Sequence, residues 1–174
     1  QGKGMAEPYR AQLDALQRGT LVYADRNYTF TDIPEPLAGA THIRTHNDDK
    51  SNTEREFLRF NINLPATLYL AYDGRAKPPE TLVNGMEKTA MAIGMSNGEF
   101  FPLYRRSVEA GEVIIAGNKV GGGGGDSMYH LFLTKTGLRK TNVAAAAHAI
   151  SKADPEHGKE LFFGRGTCFA CHKV

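Results

Sequence analysis

The chain has 174 residues, of which 41% are hydrophobic and 23% are charged, a composition typical of a globular protein with one main core. Acidic and basic residues are interspersed and the formal net charge is +2, so we expect no nucleic-acid partner. No apolar run is long enough for a transmembrane segment, and the first residues do not have the residue pattern expected of a signal peptide. We interpret its first residues as a mature terminus left after signal cleavage.

Residues 1–19 are predicted to form an N-terminal helical arm. Pro8 suits a first helical turn and Gly19 suits a C-terminal stop. The apolar residues that recur at helical spacing are Tyr9, Leu13 and Leu16. The alternative is a loosely ordered arm.

Residues 20–134 are predicted to form a β-sandwich, because the apolar pattern changes to a period of two. The alternation at 58–62 is typical of a half-buried strand, and the nearly apolar stretch 67–72 predicts a central strand. Pro102 cannot donate to a ladder, so its strand is predicted to lie at a sheet edge. Further strands are predicted at 21–23, 28–30, 42–45, 90–93 (or a buried turn), 113–116 and 128–133. The fold class is therefore mainly β, an antiparallel sandwich of jelly-roll type.

Two side-chain clusters in this sandwich each have two interpretations. A polar set offers oxygen ligands for Ca²⁺ but lacks the EF-hand spacing, so a solvated turn is favoured: Asn47, Asp48, Asp49 and Asn52. An aromatic set offers a sugar-stacking platform, but aromatic residues at alternate strand positions are more often core: Tyr69, Tyr72, Phe101 and Tyr104. The glycine run at 121–125 is interpreted as a surface loop, because Asp126 stands where a phosphate-binding loop needs Gly-Lys.

The C-terminal part is predicted to be an Ala-rich linker at 135–153 followed by a helical haem-binding tail at 154–174. Asp154 and Pro155 suit a helix N-terminus. The chain ends in Cys168-Phe169-Ala170-Cys171-His172-Lys173-Val174. Cys-x-x-Cys-His is the attachment signature of c-type haem, in which both thiols bind the haem covalently and the imidazole binds the iron.

Two alternatives exist for this motif. A thioredoxin-like dithiol requires a βαβ context, which is missing here. Half of a zinc site requires two more ligands at regular spacing, and none lies downstream of the motif. We therefore predict one covalent haem c, attached to Cys168 and Cys171, with His172 as the proximal iron ligand. Phe162 and Phe163 are predicted to be apolar haem contacts. His46, which borders a loop, is the candidate distal ligand.

The segment Asp-Pro-Glu-His-Gly-Lys-Glu-Leu-Phe and the following Cys-x-x-Cys-His resemble the opening of a class I c-type cytochrome domain. The resemblance implies electron transfer, and it covers only residues 154–174. It stops before the region that supplies the distal methionine in that family, which leaves the sixth ligand open.

The middle of the chain resembles an accessory β-sandwich module found beside catalytic or cytochrome domains in secreted bacterial proteins, many of them carbohydrate-active. The residues that carry this resemblance are 22–26, 43–50, 69–75, 110–113 and 117–118. It implies the fold, and no binding function is transferred with it.

The main functional hypothesis is an exported c-type cytochrome, periplasmic or extracellular, that transfers electrons and is not an enzyme. Its haem would be buried against a neighbouring subunit or a C-terminal continuation, its partner would be a redox protein, and its tail would support a homo-oligomer or filament. The alternative is a sandwich that binds a polysaccharide or a partner protein, with the cytochrome tail delivering electrons to a partner enzyme. A third hypothesis is a haem enzyme or gas sensor with an open iron position.

Overall fold

The computed structural model describes residues 9–135, which all belong to the compact unit Gln1–Thr136. Within this range the protein is mainly β, with nine strands in two antiparallel sheets and no α-helix. The predicted antiparallel β class is confirmed. The linker at 135–153 lies outside the described residues except for its first residue, and the predicted helical tail lies wholly outside them. The predicted domain boundaries stay predictions.

Seven strands form the large sheet in the order β1-β3-β9-β5-β7-β6-β2, and β4 pairs with β8 in the small sheet. The strands are β1 (Arg10–Gln12), β2 (Phe30–Asp32), β3 (Thr41–Arg44), β4 (Leu58–Ile62), β5 (Ala66–Ala71), β6 (Glu87–Met95), β7 (Phe100–Val108), β8 (Gly111–Ile115) and β9 (His130–Lys135). Two short 3-10 helices, Glu35–Leu37 and Asn47–Ser51, lie in the connections.

The middle of the large sheet is buried on both faces. In β5, Leu68 and Leu70 point to one face and Tyr69 and Ala71 to the other, and all four are buried. The small sheet contributes Val113 and other apolar residues to the same core. Burial on both faces explains why β5 has a nearly continuous apolar sequence, as predicted for a central strand.

The predicted N-terminal helix is wrong for the residues that the structure describes. Residues Arg10–Gln12 form the edge strand β1, with Arg10 opposite Arg44 on β3. Leu13 is 74% exposed while Leu16 is 2% exposed, so the two do not share a buried helical face. Asp14 has a φ of +46°, which interrupts any right-handed helix at this point. Pairing with a distant strand therefore replaces the local helical spacing.

The prediction that Pro102 marks an edge strand is also wrong. Its strand, β7, lies between β5 and β6. The N and O atoms of one residue in an antiparallel strand face the same neighbour, and the Pro102 carbonyl accepts a hydrogen bond from the Tyr72 N–H at 3.1 Å. The missing donor therefore falls beside Tyr72, just after β5 ends at Ala71, where an interior strand tolerates proline.

Other strand predictions agree with the structure to different degrees. β4 has the predicted alternation, with Leu58, Phe60 and Ile62 half-buried. Where strands are predicted at 21–23 and 28–30, the structure has a single bridge between Leu21 and Thr29, and β2 begins at Phe30.

Candidate functional site

A groove of about 270 Å³ lies where β5 ends, beside β6 and β7. We call it the β5-end groove. Its walls combine a turn after β5, one position on β6 and two on β7. The lining residues are Tyr72, Asp73, Gly74, Ala76, Lys77, Pro78, Lys88, Pro102 and Tyr104.

The turn that forms one wall is fixed by the buried carboxylate of Asp73. This carboxylate accepts hydrogen bonds from the Arg75 backbone N–H (3.0 Å) and from its side-chain Nε (2.8 Å). It also accepts the backbone N–H groups of Asp126 (2.9 Å) and Ser127 (3.1 Å). Burial alone would raise the pKa of Asp73, but the hydrogen bonds from Arg75 and Asp126 outweigh it and lower the pKa. Asp73 is therefore a fixed structural anion.

The groove has a close backbone approach at Gly74. A Cβ atom at this position would lie 2.6 Å from the Phe100 carbonyl oxygen and 3.2 Å from the Pro102 Cδ atom. Glycine therefore allows the turn to pass against the start of β7. The neighbouring Tyr72 is held by its hydroxyl, which donates to the Asn118 carbonyl at 3.1 Å.

The open side of the groove is formed by a cross-strand pair. Lys88 on β6 stands directly opposite Tyr104 on β7, so both side chains lie on one face of the sheet. Tyr104 is half-buried, which raises the pKa of its phenol, and Lys88 is exposed. Lys77 lies on the turn and is exposed, with only a 3.8 Å contact to Glu80. An aromatic ring and two ammonium groups therefore line one concave surface.

This arrangement is suited to binding. Glycoside hydrolysis usually requires a pair of carboxyl groups that flank the reacting bond. The carboxyl side chain among the groove residues that the structure describes is Asp73, whose oxygens are occupied by the hydrogen bonds given above. A half-exposed tyrosine ring beside cationic donors can instead hold a sugar ring by stacking and hydrogen bonding.

The structure separates the predicted aromatic platform. Tyr69, Tyr72 and Phe101 are buried, as the favoured core interpretation predicted. Tyr72 and the half-exposed Tyr104 both line the groove. Sequence reasoning missed Lys77 and Lys88. Lysine at a strand position opposite a tyrosine was the available signal, but the opposition depends on register, which the sequence alone does not display.

The predicted solvated turn is a short 3-10 helix, Asn47–Ser51, in which Asp48 is exposed and Asn47 is buried. Asp25 accepts hydrogen bonds from the backbone N–H groups of Asn47 (2.8 Å) and Asp48 (3.0 Å), and Asp49 accepts one from the Tyr9 hydroxyl. The Asp48 carboxylate pairs with Arg26. Within residues 9–135 no group of three or more His, Cys, Asp or Glu side chains is placed to hold a metal ion.

His46, the predicted distal haem ligand, is half-buried beside Tyr9, with ring centroids 5.4 Å apart. Two other histidines, His42 and His130, are fully buried on the face of the large sheet opposite to Leu131. They pack around Phe30, with ring centroids 5.1 and 5.6 Å from it. The ring nitrogens of both histidines form no hydrogen bond with other described residues.

Burial controls the charge of these two histidines. Burial lowers the pKa of His42 to about 3, and the charge of Arg44 acts in the same direction. Burial also lowers the pKa of His130, with a further lowering by His42 that the Asp73 carboxylate opposes. Both are therefore neutral members of an aromatic cluster near neutral pH.

Comparisons with known proteins point to carbohydrate-active enzymes. The chain is 27% identical over 103 residues to a β-glucuronidase of Formosa agariphila, a match that covers 59% of this chain and 10% of that protein. In solved structures, 78% of the chain superposes on 14% of a β-glucuronidase from glycoside hydrolase family 2, with a TM-score of 0.68 and 23% identity. The same share of the chain, 78%, superposes on 16% of a GH138 enzyme targeting pectin rhamnogalacturonan II, with a TM-score of 0.55 and 14% identity. No protein-family model matches the chain.

These matches show the β-sandwich fold. The chain spans about a tenth of the length of the Formosa agariphila β-glucuronidase. They also correct the functional interpretation. The expectation of a non-enzymatic electron-transfer cytochrome with one haem c is wrong, because the matched proteins are a β-glucuronidase and a GH138 enzyme. Glycoside hydrolysis usually depends on a pair of carboxyl groups, and its chemistry does not involve a haem. The predicted redox partner and haem-tail filament lose their basis with this correction.

The residues assigned to the haem lie outside the described residues, so their individual roles stay predictions from the sequence: Phe162, Phe163, Cys168, Cys171 and His172. No helix among residues 9–135 is long and apolar enough to cross a membrane.

Proposed function

We propose that residues 9–135 form a saccharide-binding β-sandwich module of a carbohydrate-active protein. The observation that carries this proposal is the similarity in both sequence and fold to β-glucuronidases. The chain spans a small part of these relatives. An association of this module with glycoside hydrolase activity is therefore a proposal as well. A polysaccharide is met outside the cytoplasmic membrane, so we include a periplasmic or extracellular location.

The β5-end groove is the binding site in this proposal. Its Tyr104 ring lies beside Lys88 on an open part of the large sheet, and the opposite wall is held by the Asp73 hydrogen bonds. A groove with a fixed wall loses little conformational freedom when it binds a ligand, which favours affinity. Stacking of a sugar ring on tyrosine requires a partly exposed ring, and Tyr104 meets this requirement.

The proposal is tested by affinity electrophoresis of the full 174-residue chain in gels that contain single polysaccharides, both neutral and acidic. We expect retardation by at least one polysaccharide. In Tyr104→Ala the affinity should fall by about two- to tenfold, since an aromatic contact contributes about 0.5–1.5 kcal/mol. The matched control is Tyr28→Ala, which removes a 39%-exposed tyrosine outside the groove and should bind as the unmodified chain does. If Tyr104→Ala is retarded as strongly as Tyr28→Ala, the binding site lies outside the groove. If no polysaccharide retards the unmodified chain, the proposed saccharide binding is contradicted.

A further inference from the structure

We propose that the β5-end groove selects anionic saccharides, and that Lys88 and Lys77 bind the carboxylate of a uronic acid residue. This inference rests on the proposed saccharide-binding function and names its ligand class.

The groove carries an excess of positive charge that its own residues do not neutralise. Its acidic member, Asp73, faces Arg75, with which it forms a two-pronged ion pair at 2.8 Å. Lys88 has no ion pair or side-chain hydrogen bond with the other residues that the structure describes. The contact of Lys77 with Glu80 is long, at 3.8 Å, and both partners are highly exposed, so it holds Lys77 weakly. Both ammonium groups therefore remain available to a ligand anion.

The charged pairs along β6 and β7 set Lys88 apart from its neighbours. The residue before Lys88 in β6, Glu87, is paired with Arg105 at 3.0 Å. Lys88 instead stands opposite the uncharged Tyr104. On β7, Arg106 lies two residues beyond Tyr104 and thus on the same face, and its buried Nε atom has no hydrogen-bond partner among residues 9–135. A third cation therefore lies on the same sheet face as the tyrosine, outside the residues that line the groove.

The geometry matches the chemistry of a uronic acid. Such a sugar has a ring that can stack on an aromatic side chain and a carboxylate at the ring edge. With the ring against Tyr104, the cross-strand neighbour Lys88 is within one side-chain length of the ring edge. An ammonium group offers three donors to a carboxylate, and such charge-assisted hydrogen bonds are stronger than neutral ones. A neutral sugar would leave this interaction unused.

The test compares two probes that differ only in the carboxyl group. Short oligogalacturonides are titrated into the full 174-residue chain by calorimetry, followed by the same oligomers with their carboxyl groups reduced to alcohols. We expect at least tenfold tighter binding of the acidic probe, the usual effect of one charge-assisted hydrogen bond of about 1.5 kcal/mol. Its affinity should fall as salt is raised, because exposed ion pairs are screened.

Substitutions then assign the selectivity to the groove. Lys88→Ala should lose about tenfold in affinity for the acidic probe and none for the reduced probe, while Lys88→Arg should keep most of the affinity. Arg55→Ala, which removes an exposed positive charge outside the groove, is the charge-matched control. Thermal melting of each variant checks that it is folded.

The outcomes separate the two proposals. Equal affinity for the acidic and reduced probes would overturn the selectivity and leave saccharide binding intact. Binding of the acidic probe that Lys88→Ala and Lys77→Ala both leave unchanged would likewise overturn this inference. Failure of both probes and of all polysaccharides in the gel assay would overturn the binding function itself.

Discussion

Lowering the pH from 7 to 5 should destabilise the β-sandwich by about 2 kcal/mol through His42 alone. His42 is fully buried among Phe30 and Phe132, and its ring nitrogens have no hydrogen-bond partner among the described residues. Protonation would place an unpaired charge in this aromatic cluster. The folded protein therefore resists a protonation that the unfolded chain accepts.

The magnitude follows from the two pKa values. Histidine in the unfolded chain has a pKa of about 6.5, whereas burial lowers the pKa of His42 in the folded protein to about 3. Between these values the unfolded state binds more protons. The contribution of His42 to the free energy of unfolding is therefore fully present above about pH 6.5, and it is lost progressively as the pH falls to about 3. At pH 5 the difference is about 1.5 pH units, or about 2 kcal/mol at 1.36 kcal/mol per unit. His130, whose pKa is lowered in the same direction, adds to this loss.

The measurement is urea unfolding of the full chain at pH 8, 7, 6 and 5. The chain has seven tyrosines and no tryptophan, so tyrosine fluorescence reports the transition without interference. His42→Phe removes the titrating group and keeps an aromatic ring beside Phe30. We expect this variant to lose about 2 kcal/mol less than the unmodified chain between pH 7 and 5. Stability of the unmodified chain that does not change over this range would refute the reasoning, whether or not the variant folds.

Two further predictions concern the segments that shape the fold around the groove. Asp73→Ala should lower the free energy of unfolding by about 3 kcal/mol, because it leaves buried donors unpaired, whereas Asp48→Ala, at an exposed carboxylate, should cost under about 1 kcal/mol. Equal losses would contradict the role of Asp73. Gly117→Ala should cost about 2 kcal/mol or more, since its Cβ would lie 2.2 Å from the Asn52 Oδ1 atom, while Gly124→Ala meets nothing closer than 4.0 Å. Urea unfolding measures both pairs, and a fully stable Gly117→Ala would show that the Asn52 loop yields.

The sequence predicts best those strands in which the pattern of apolar and polar residues along the strand itself indicates which faces are buried. The alternation in β4 reports one buried face, and the apolar run in β5 reports two. The helix predicted for the N-terminal segment is wrong because the apolar spacing there fits a helix, while the segment pairs with β3, a strand distant in sequence. The edge position predicted for the strand of Pro102 is wrong because the missing N–H of Pro102 falls beside Tyr72, just after β5 ends, where no ladder hydrogen bond is lost. In both cases a long-range pairing outweighs a local signal.

The function was mispredicted for a related reason. The haem hypothesis rested on a short motif at residues 168–172. Such a motif is recognised from its spacing alone, without knowledge of the fold. The groove has no comparable motif. Lys88 and Tyr104 meet only because β6 and β7 pair in one register, and that pairing includes an irregularity between Lys88 and Ala92. A site on a sheet face therefore depends on register, which periodicity alone leaves undetermined.

The histidine cluster and the groove belong to the same sheet but place opposite demands on charge. His42 and His130 lie on a face that excludes water and must stay neutral, which ties stability to pH. Lys88 and Tyr104 lie where the sheet is open to solvent, so an ammonium group keeps its charge at little cost. Asp73 connects the two regions, because its carboxylate opposes the lowering of the His130 pKa and also fixes the groove wall. Loss of this one anion should therefore weaken the fold and loosen the groove together.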